Sequence, residues 1–391
     1  MTGRPLRLLG RDFAGFRRAA AAHSAAWPAG TVTARWVELP VLQQSVLRQD
    51  ADADLLLVPA DWLPALAARG AIAGLDGQLA RRQPEGWPDA WSASFLEGVS
   101  FSGQVWGLPF HDGPQLLFTR SDLYAAHGLT PPATWAELAG HAARLHEPGR
   151  CAGTVLAGAP DGHNNVYDFL VHLRRYGGDL FGDDGVVLDG QPARRALSFL
   201  RELVTTVVDP RAHALDSADS GVEFAEGRVA VTVNWAGFAA LAADGPVAGR
   251  FDTAVVPAHD DGHPTTTVNA FWALAVSSRC DRPELAWDYL CHTASAAMDR
   301  ATSRAGASGV RKSTWTDPDV LGRRPEYRLF EAAHEHSRPL PRIPRIVEVV
   351  EVLNELVDAV VWCGEEAGPA LARAHARIED ELRASPRKGI S

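Results

Sequence analysis

The sequence predicts an α/β protein with two domains, on the basis of element order, length and composition. Apolar segments of strand length alternate along the chain with amphipathic segments of helix length, an order that is typical of α/β architectures. The 391 residues exceed the usual size of a single domain, so two lobes are the default expectation. The hydrophobic content of 46% is ordinary for a globular protein, and no apolar run is long enough to span a bilayer.

Charge and cysteine content argue against several function classes. The net charge is −10 and the chain contains no basic block, which disfavours nucleic-acid binding through phosphate neutralisation. The four cysteines are scattered, and none belongs to a Cys-x-x-Cys pair of the kind found in zinc and redox sites. Cys280 and Cys291 could pair in an oxidising compartment, but buried free thiols are the favoured interpretation.

The N-terminal part of the chain begins the alternation of strands and helices. The third predicted strand is apolar throughout, which is typical of a buried parallel strand, and Gly70 ends the helix that follows it. The predicted strands are residues 6–10, 31–38 and 54–59, and the predicted helices are residues 13–26 and 62–69.

Residues 101–145 have the most informative order of elements. A short apolar strand ends at Gly107-Leu108-Pro109, and a polar loop leads from it to a second apolar run at residues 116–119. A short helix and a Pro-Pro break follow. Thr134 then precedes a new helix with Glu137 three residues later, the spacing of a capping box.

These segments, together with later ones, closely resemble the family 1 extracytoplasmic solute-binding proteins, the sugar-binding receptors of bacterial ABC importers. Each motif is weak alone, but the series occurs in the family order at plausible spacing. Arg228, Val231 and Gly309 depart from the usual Lys, Met and Pro. The matching segments are residues 52–76, 101–145, 169–203, 222–241, 265–295 and 306–315, followed by a helical tail at residues 339–382.

The resemblance implies an α/β, two-lobed periplasmic-binding-protein-like fold of type II, with a hinge and a ligand cleft between the lobes. It places residues 1–111 and 256–310 in the first lobe, and residues 112–255 and 311–391 in the second. The implied function is the binding of a carbohydrate or related polyol outside the cytoplasm, as a monomer, for an ABC permease. No cofactor, metal or catalytic residue is implied.

The resemblance also implies which side chains face the ligand. Aromatic rings stack on the apolar faces of sugars, while carboxylates and amides bind hydroxyl groups. The expected ligand-binding residues are Asp61, Trp62, Phe110, His111, Asp112, Asn165, Asn234, Trp235, Asn269, Trp272 and Arg311.

Most of these residues have a structural alternative. Asp61 also suits the N-cap of the helix predicted to start at Trp62, and Asn165 lies in a predicted loop where it could cap a helix at residues 166–176. Residues 110–112 could form a solvated turn, and Arg311 could form a surface salt bridge. Core packing is the alternative for every tryptophan, and it is the expectation for Trp27, Trp135, Trp287 and Trp362.

Two other function classes remain open. The first is a cytosolic binding or regulatory protein, because residues 1–40 contain no segment like a signal peptide and we expect the chain as written not to be exported. The second is an enzyme in which His111 and Asp112 form an acid/base pair. The sequence contains no recognised nucleophile, zinc-protease or P-loop motif.

Two polar runs are interpreted as turns. His259 and His263 are four residues apart, but Gly262 and Pro264 argue against the helix that a metal site would need. The run Asp183-Asp184-Gly185 suits a hairpin turn better than a calcium loop.

Overall fold

The computed structural model describes residues 4–160, 164–183 and 185–384, and the chain divides into two compact units. Both units are discontinuous in sequence. The first unit comprises Met1–Pro114, Asn269–His334 and Pro339–Ile346, and the second comprises Gln115–Val268, Glu335–Arg338 and Val347–Ser391.

These boundaries differ from the expected ones at four places, because residues 112–114 and 339–346 lie in the first unit and two longer segments also change unit. Residues 256–268 lie in the second unit, because the Thr265 hydroxyl accepts a hydrogen bond from the Trp135 indole at 3.0 Å. Residues 311–334 lie in the first unit, where His334 bonds Asp112 at 2.9 Å. Both segments thus contact parts of their unit that are distant in sequence.

A mixed five-stranded sheet forms the centre of the first unit. Three neighbouring strands of the sheet are parallel. The strand Trp272–Val276, which comes from the later segment of this unit, runs antiparallel to both of its neighbours. The strand order across the sheet is Val32–Val37, Leu6–Arg11, Leu55–Pro59, Trp272–Val276 and Leu108–His111. The predicted strands at residues 6–10, 31–38 and 54–59 are thus confirmed.

The helices of the first unit pack around this sheet. The predicted helix at residues 13–26 is confirmed, and the one at 62–69 forms as a 3₁₀ turn followed by a short α-helix that Gly70 ends at φ +67°. The α-helices are Ala14–Ala26, Leu39–Leu47, Leu63–Ala68, Asp76–Arg81, Ala93–Val99, Pro283–Thr293, Ala296–Arg304, Lys312–Trp315, Pro318–Arg323 and Phe330–Glu335; the 3₁₀ helices are Ala60–Trp62 and Pro325–Leu329; Ser100–Phe101 and Gln104–Val105 form a small hairpin.

A three-stranded antiparallel sheet lies in the second unit, with Gln115–Thr119 between Val231–Trp235 and Asp252–Val255. The hairpin predicted around residues 183–185 forms, although Asp184 itself lies outside the described residues. The other strands are Phe181–Gly182, Gly185–Val186, Thr267–Val268 and Ser337–Arg338; the helices are Ser121–Ala126, Trp135–Leu145, Asn164–Arg175, Gln191–Thr206, Pro210–Ala214, Ser217–Ala225, Phe238–Asp244, Ile346–Val357, Asp358–Trp362 and Ala367–Arg383.

Cysteines and tryptophans mostly follow the sequence-based expectations. All four cysteines are free, and Cys291 is buried as expected, whereas Cys280 is only partly buried. Trp27, Trp135 and Trp287 are core residues as expected, whereas Trp362 is only partly buried because it lies at the end of a surface helical turn. Across the described ranges, we find no helix with the length and apolar character that crossing a bilayer requires.

The predicted cap at Thr134 is present. The Thr134 hydroxyl accepts a hydrogen bond from the Glu137 amide at 3.2 Å, which satisfies one of the free amides at the start of the helix Trp135–Leu145. In a capping box the Glu137 carboxylate would accept a hydrogen bond from the amide of Thr134. Here it accepts from the amide of the preceding residue, Ala133, at 2.7 Å.

We predict that Thr134→Ala lowers the free energy of unfolding of the second unit by about 1 kcal/mol, because a helix amide loses its acceptor. Thr134→Ser keeps the hydroxyl and should retain most of the stability. Urea unfolding followed by circular dichroism measures both variants. Equal stability of the alanine and serine variants would contradict a capping role.

Candidate functional site

The second unit contains a narrow polar recess that is open to solvent. We call it the Asp168 recess. The antiparallel pairing of Gln115 with Trp235 brings the start of the central strand and the end of its neighbour to the same end of the sheet. One turn of the helix Asn164–Arg175 separates Asn164 from Asp168, so both face the recess. Its lining residues are Gln115, Val155, Ala157, Asn164, Asp168, Ser220, Val233, Asn234 and Trp235.

Hydrogen bonds hold most polar side chains of the Asp168 recess in place. The Trp235 indole donates to Asn164 Oδ1 at 2.9 Å, and the Asn234 amide group donates to the Ser220 hydroxyl at 3.0 Å. The Trp235 ring meets the ring of Tyr167 edge-on, with 5.7 Å between centroids, and remains partly exposed. The recess therefore presents an aromatic surface whose orientation is fixed.

Asp168 differs from its neighbours in the recess. Within the described ranges, no group donates a hydrogen bond to its carboxylate, and no cation pairs with it. Burial alone raises the pKa of Asp168 to about 7. A desolvated carboxyl group that lacks a compensating partner is costly to the fold, and such groups cluster at functional sites.

The first unit contains a second narrow recess, which we call the Asp61 recess. Asp61 follows the buried strand Leu55–Pro59, and the amide of Ala60 donates to the Phe271 carbonyl at 2.8 Å. This bond brings the loop that carries Asn269 close to Asp61. The lining residues are Ala60, Asp61, Pro64, Gly98, Asn269, Phe271, Pro339, Leu340, Pro341 and Arg342.

Two hydrogen-bond donors of the Asp61 recess have no acceptor within the part of the chain that the structure describes. They are Nδ2 of Asn269 and Nη2 of Arg342. Nη1 of Arg342 donates to the Gly98 carbonyl at 2.7 Å. Burial lowers the pKa of the Arg342 guanidinium to about 10, while the Glu97 and Asp61 carboxylates act in the opposite direction.

The recess also depends on the absence of a side chain at Gly98. A Cβ atom there would lie 2.3 Å from Cε1 of Phe271, which is too close for any other residue. The Asp61 recess therefore combines a carboxylate with two free donors, and Gly98 and Phe271 pack closely against each other in its wall.

His111 and Asp112 do not form an acid/base pair. Nδ1 of His111 accepts from the Ser308 amide at 2.7 Å, whereas the Asp112 carboxylate bonds Nε2 of His334 at 2.9 Å. Burial lowers the pKa of His111 to about 4, so its imidazole is neutral near neutral pH. The two side chains diverge, as expected for adjacent residues of an extended segment.

Arg311 is occupied by the backbone of its own unit. Its Nη1 donates to the carbonyls of Glu85 at 2.8 Å and Ala294 at 2.7 Å, and its guanidinium lies 4.8 Å from the centroid of the Trp91 ring. The side chain is only 5% exposed, and its Nη2 also lies 3.7 Å from Oε1 of the exposed Glu85, so Arg311 joins three segments and forms the ion pair that was its structural alternative.

The aromatic candidates of the first unit differ in exposure. Trp62 and Phe110 are buried core residues, and Phe110 meets Phe16 edge-on at 6.2 Å. Trp272 begins a central strand, packs edge-on against Phe16 at 4.9 Å, and remains partly exposed. None of the three lines the Asp61 recess.

The secondary structure around Asn165 and Asp61 differs from the prediction. The helix begins at Asn164, so Asn165 is its second residue rather than a loop residue, and its Oδ1 accepts from the Val166 amide at 2.9 Å. The N-cap of the helix Leu63–Ala68 is Trp62, which rules out that role for Asp61.

Sequence reasoning missed Asp168, Gln115 and Arg342. The spacing of Asn164 and Asp168 was a usable signal, because two polar residues four apart share one face of a helix. No comparable signal marks Arg342, since the residues that meet it in the recess come from three distant segments.

The chain belongs to the family of bacterial extracellular solute-binding proteins, which matches residues 11–297. It is therefore a solute-binding protein of the ABC-transporter class, and members of this family are extracellular or periplasmic. The family is non-catalytic, so the cytosolic enzyme alternative is not supported.

Individual relatives agree with the family assignment. A probable ABC transporter-binding protein of Deinococcus radiodurans is 24% identical over 293 residues, which cover 72% of this chain and 68% of the relative. The mannitol-binding protein of Pseudomonas aeruginosa is 31% identical over 126 residues, 30% of this chain and 28% of that protein.

A solved structure shows the fold. The ABC transporter solute-binding protein from Agrobacterium radiobacter K84, in complex with ribitol, has a TM-score of 0.88 at 23% identity and covers 97% of this chain and 99% of its own. The chain thus has the periplasmic-binding-protein fold of type II that the sequence predicted.

The raised pKa of Asp168 predicts a distinctive pH dependence of stability. The unfolded carboxyl has a pKa of about 4, so the folded protein binds this proton more tightly, and the resulting stabilisation is lost as pH rises from about 4 through about 7. Asp168→Asn cannot ionise. The variant should therefore become more stable than the wild type by at least about 1 kcal/mol on the alkaline side.

Thermal unfolding of both proteins across this pH range measures the difference. The difference in stability between the variant and the wild type should increase as pH rises. The titration of other groups affects both proteins equally and cancels in the comparison. A difference that does not change with pH would show that Asp168 titrates normally.

Proposed function

We propose that this protein binds a small neutral polyol or sugar and delivers it to an ABC permease. The observation that carries the proposal is the Asp168 recess, where a carboxylate without a partner among the described residues lies beside a fixed indole and amide groups. Hydroxyl groups donate to carboxylates, and the C–H face of a polyol packs on an aromatic ring.

The Asp61 recess offers complementary chemistry. Its carboxylate accepts hydrogen bonds, while the free donors on Asn269 and Arg342 supply bonds to hydroxyl oxygens. Each polyol hydroxyl both donates and accepts, so it matches a site that holds both kinds of group. We therefore assign ligand binding to Asp61, Asn269 and Arg342 in the first unit, and to Asn164, Asp168, Asn234 and Trp235 in the second.

The proposal changes the set of expected ligand residues. It keeps Asp61, Asn234, Trp235 and Asn269 because each lines a recess. It omits residues whose side chains have structural partners or lie in the core, namely Trp62, Phe110, His111, Asp112 and Arg311. Asn165 and Trp272 line neither recess and are also omitted.

An acyclic polyol is the first ligand class to test. The Pseudomonas relative is named for mannitol and the Agrobacterium structure contains ribitol, which supports this choice. We further propose that the protein acts outside the cytoplasm and as a monomer.

We predict that isothermal titration calorimetry with ribitol, mannitol, glucose and maltose detects saturable binding of at least one of them. Asp168→Asn and Asp61→Asn should each weaken that binding about five- to a hundredfold, because each removes a charged acceptor worth about 1–3 kcal/mol. Asp261→Asn and Asp89→Asn are matched controls at exposed positions of the second and first unit.

The controls should bind as the wild type does. If the wild type binds a polyol and both recess variants retain its affinity, the recesses are not the binding site. If no heat appears with any member of a broad polyol and sugar panel, the ligand class itself is wrong.

A further inference from the structure

A cluster of metal-ligating side chains lies in the second unit, apart from the residues of the Asp168 recess. Nε2 of His213 lies 2.6 Å from Oδ1 of Asp358, and Sγ of Cys363 lies 3.6 Å from Oδ2 of the same carboxylate. One ligand atom from each of the three residues falls within 4.8 Å of the others. The solute-binding function uses none of these residues.

A π-helical turn, Asp358–Trp362, brings two of the donors together. The helix Ile346–Val357 continues into this turn, and the amide of Cys363 donates to the Asp358 carbonyl at 2.9 Å. This five-residue closure places Asp358 and Cys363 on the same side of the chain, which an ordinary α-helical turn would not do. Such turns are rare and occur frequently at functional sites.

The third donor is held by a separate segment. His213 belongs to the 3₁₀ helix Pro210–Ala214, and its ring stacks on the Trp362 indole with 5.0 Å between centroids and 9° between planes. Gly158 allows this contact, since a Cβ atom there would lie 2.6 Å from Cα of His213 and 2.7 Å from Cζ2 of Trp362. The imidazole is thereby oriented towards the carboxylate.

We propose that His213, Asp358 and Cys363 form a binding site for a divalent transition-metal ion of the zinc class. Tetrahedral coordination by nitrogen, oxygen and sulfur at normal bond lengths requires ligand atoms about 3.4 to 3.6 Å apart. The His213–Asp358 hydrogen bond must open by less than about 1 Å to reach this spacing, and the separation of Cys363 Sγ from Oδ2 of Asp358 already matches it. Because these two contacts involve different oxygens of the carboxylate, the Asp358 side chain must turn to coordinate the ion, and the three ligand atoms, now within 4.8 Å of one another, must close around it.

The donor set selects the metal. One thiol, one imidazole and one carboxylate favour zinc, cobalt, nickel or copper over magnesium and calcium, which prefer oxygen ligands. Because His213 and Cys363 are exposed, a water molecule completes the fourth position. Binding replaces the thiol proton with the metal ion, and the metal then links the 3₁₀ helix to the end of the π turn.

The test uses the full-length chain without an affinity tag, stripped of metal and kept reduced with a non-chelating phosphine. Cobalt is titrated as a spectroscopic substitute for zinc. We expect one equivalent to bind with a thiolate-to-cobalt charge-transfer band, and zinc to abolish that band by displacement. Zinc should also raise the melting temperature.

Variants distinguish this site from adventitious binding. Cys363→Ser should abolish the charge-transfer band, and His213→Gln should weaken binding at least about tenfold. His263→Gln is the matched control, because His263 also pairs with an aspartate at the surface, Asp261, but has no cysteine beside it.

The proposal is wrong if saturating cobalt gives no charge-transfer band, or if the band survives in Cys363→Ser. It is equally wrong if His263→Gln weakens binding as much as His213→Gln does. Circular dichroism of each variant shows whether it has folded, and a misfolded Cys363→Ser would be replaced by Cys363→Ala for the same measurement.

Discussion

A polar group that is buried on folding needs a hydrogen-bond partner, and this requirement shapes the tertiary structure of the chain. Asp54 is fully buried, and its carboxylate accepts from the Arg7 amide at 2.8 Å and from the Arg7 guanidinium at 3.2 Å. Burial acts to raise the pKa of Asp54, but these bonds lower it overall. Asp299 likewise accepts from the amides of Val310 and Arg311, at 2.9 and 3.1 Å. Distant segments of the first unit are joined by these bonds.

The proposed binding site also involves this constraint, because each of the two recesses contains polar groups without a partner, as do some other buried places in the chain, such as Nε1 of Trp91 and the Tyr124 hydroxyl. The Asp168 carboxylate and the free donors on Asn269 and Arg342 each lack a partner in the described chain. A buried polar group left unpaired costs about 1–3 kcal/mol, so the fold is less stable than it would be with these groups satisfied. In the proposed function, a ligand rich in hydroxyl groups supplies the missing partners. The unpaired groups thus lower the stability of the ligand-free protein and raise its affinity for the ligand.

Much of the fold could be predicted because it depends on local patterns. The buried run at residues 54–59 and the cap at Thr134 each carry their signal within a few residues, and both formed as predicted. The assignment of residues 256–268 and 311–334 to the units depends instead on contacts such as Trp135 to Thr265, which join residues 130 positions apart. Local patterns contain no information about such contacts.

The site was harder to predict than the fold for the same reason. Residue type alone suggested Asp112 and Arg311, but their partners, His334 and the carbonyls of Glu85 and Ala294, come from elsewhere in the chain. Whether a polar side chain is available to a ligand depends on which distant groups reach it first. The metal-ligating cluster is the extreme case, since His213 and Asp358 are 145 positions apart and only a π turn aligns Cys363 with them.

The most direct test of the central claim is the pKa of Asp168 with and without bound polyol, measured by carboxyl-carbon NMR. In the free protein the pKa should be about 7. Hydroxyl groups that donate to the carboxylate favour its ionised form, so saturation with ligand should lower this pKa. A ligand that binds and leaves the pKa of Asp168 unchanged would contradict the account.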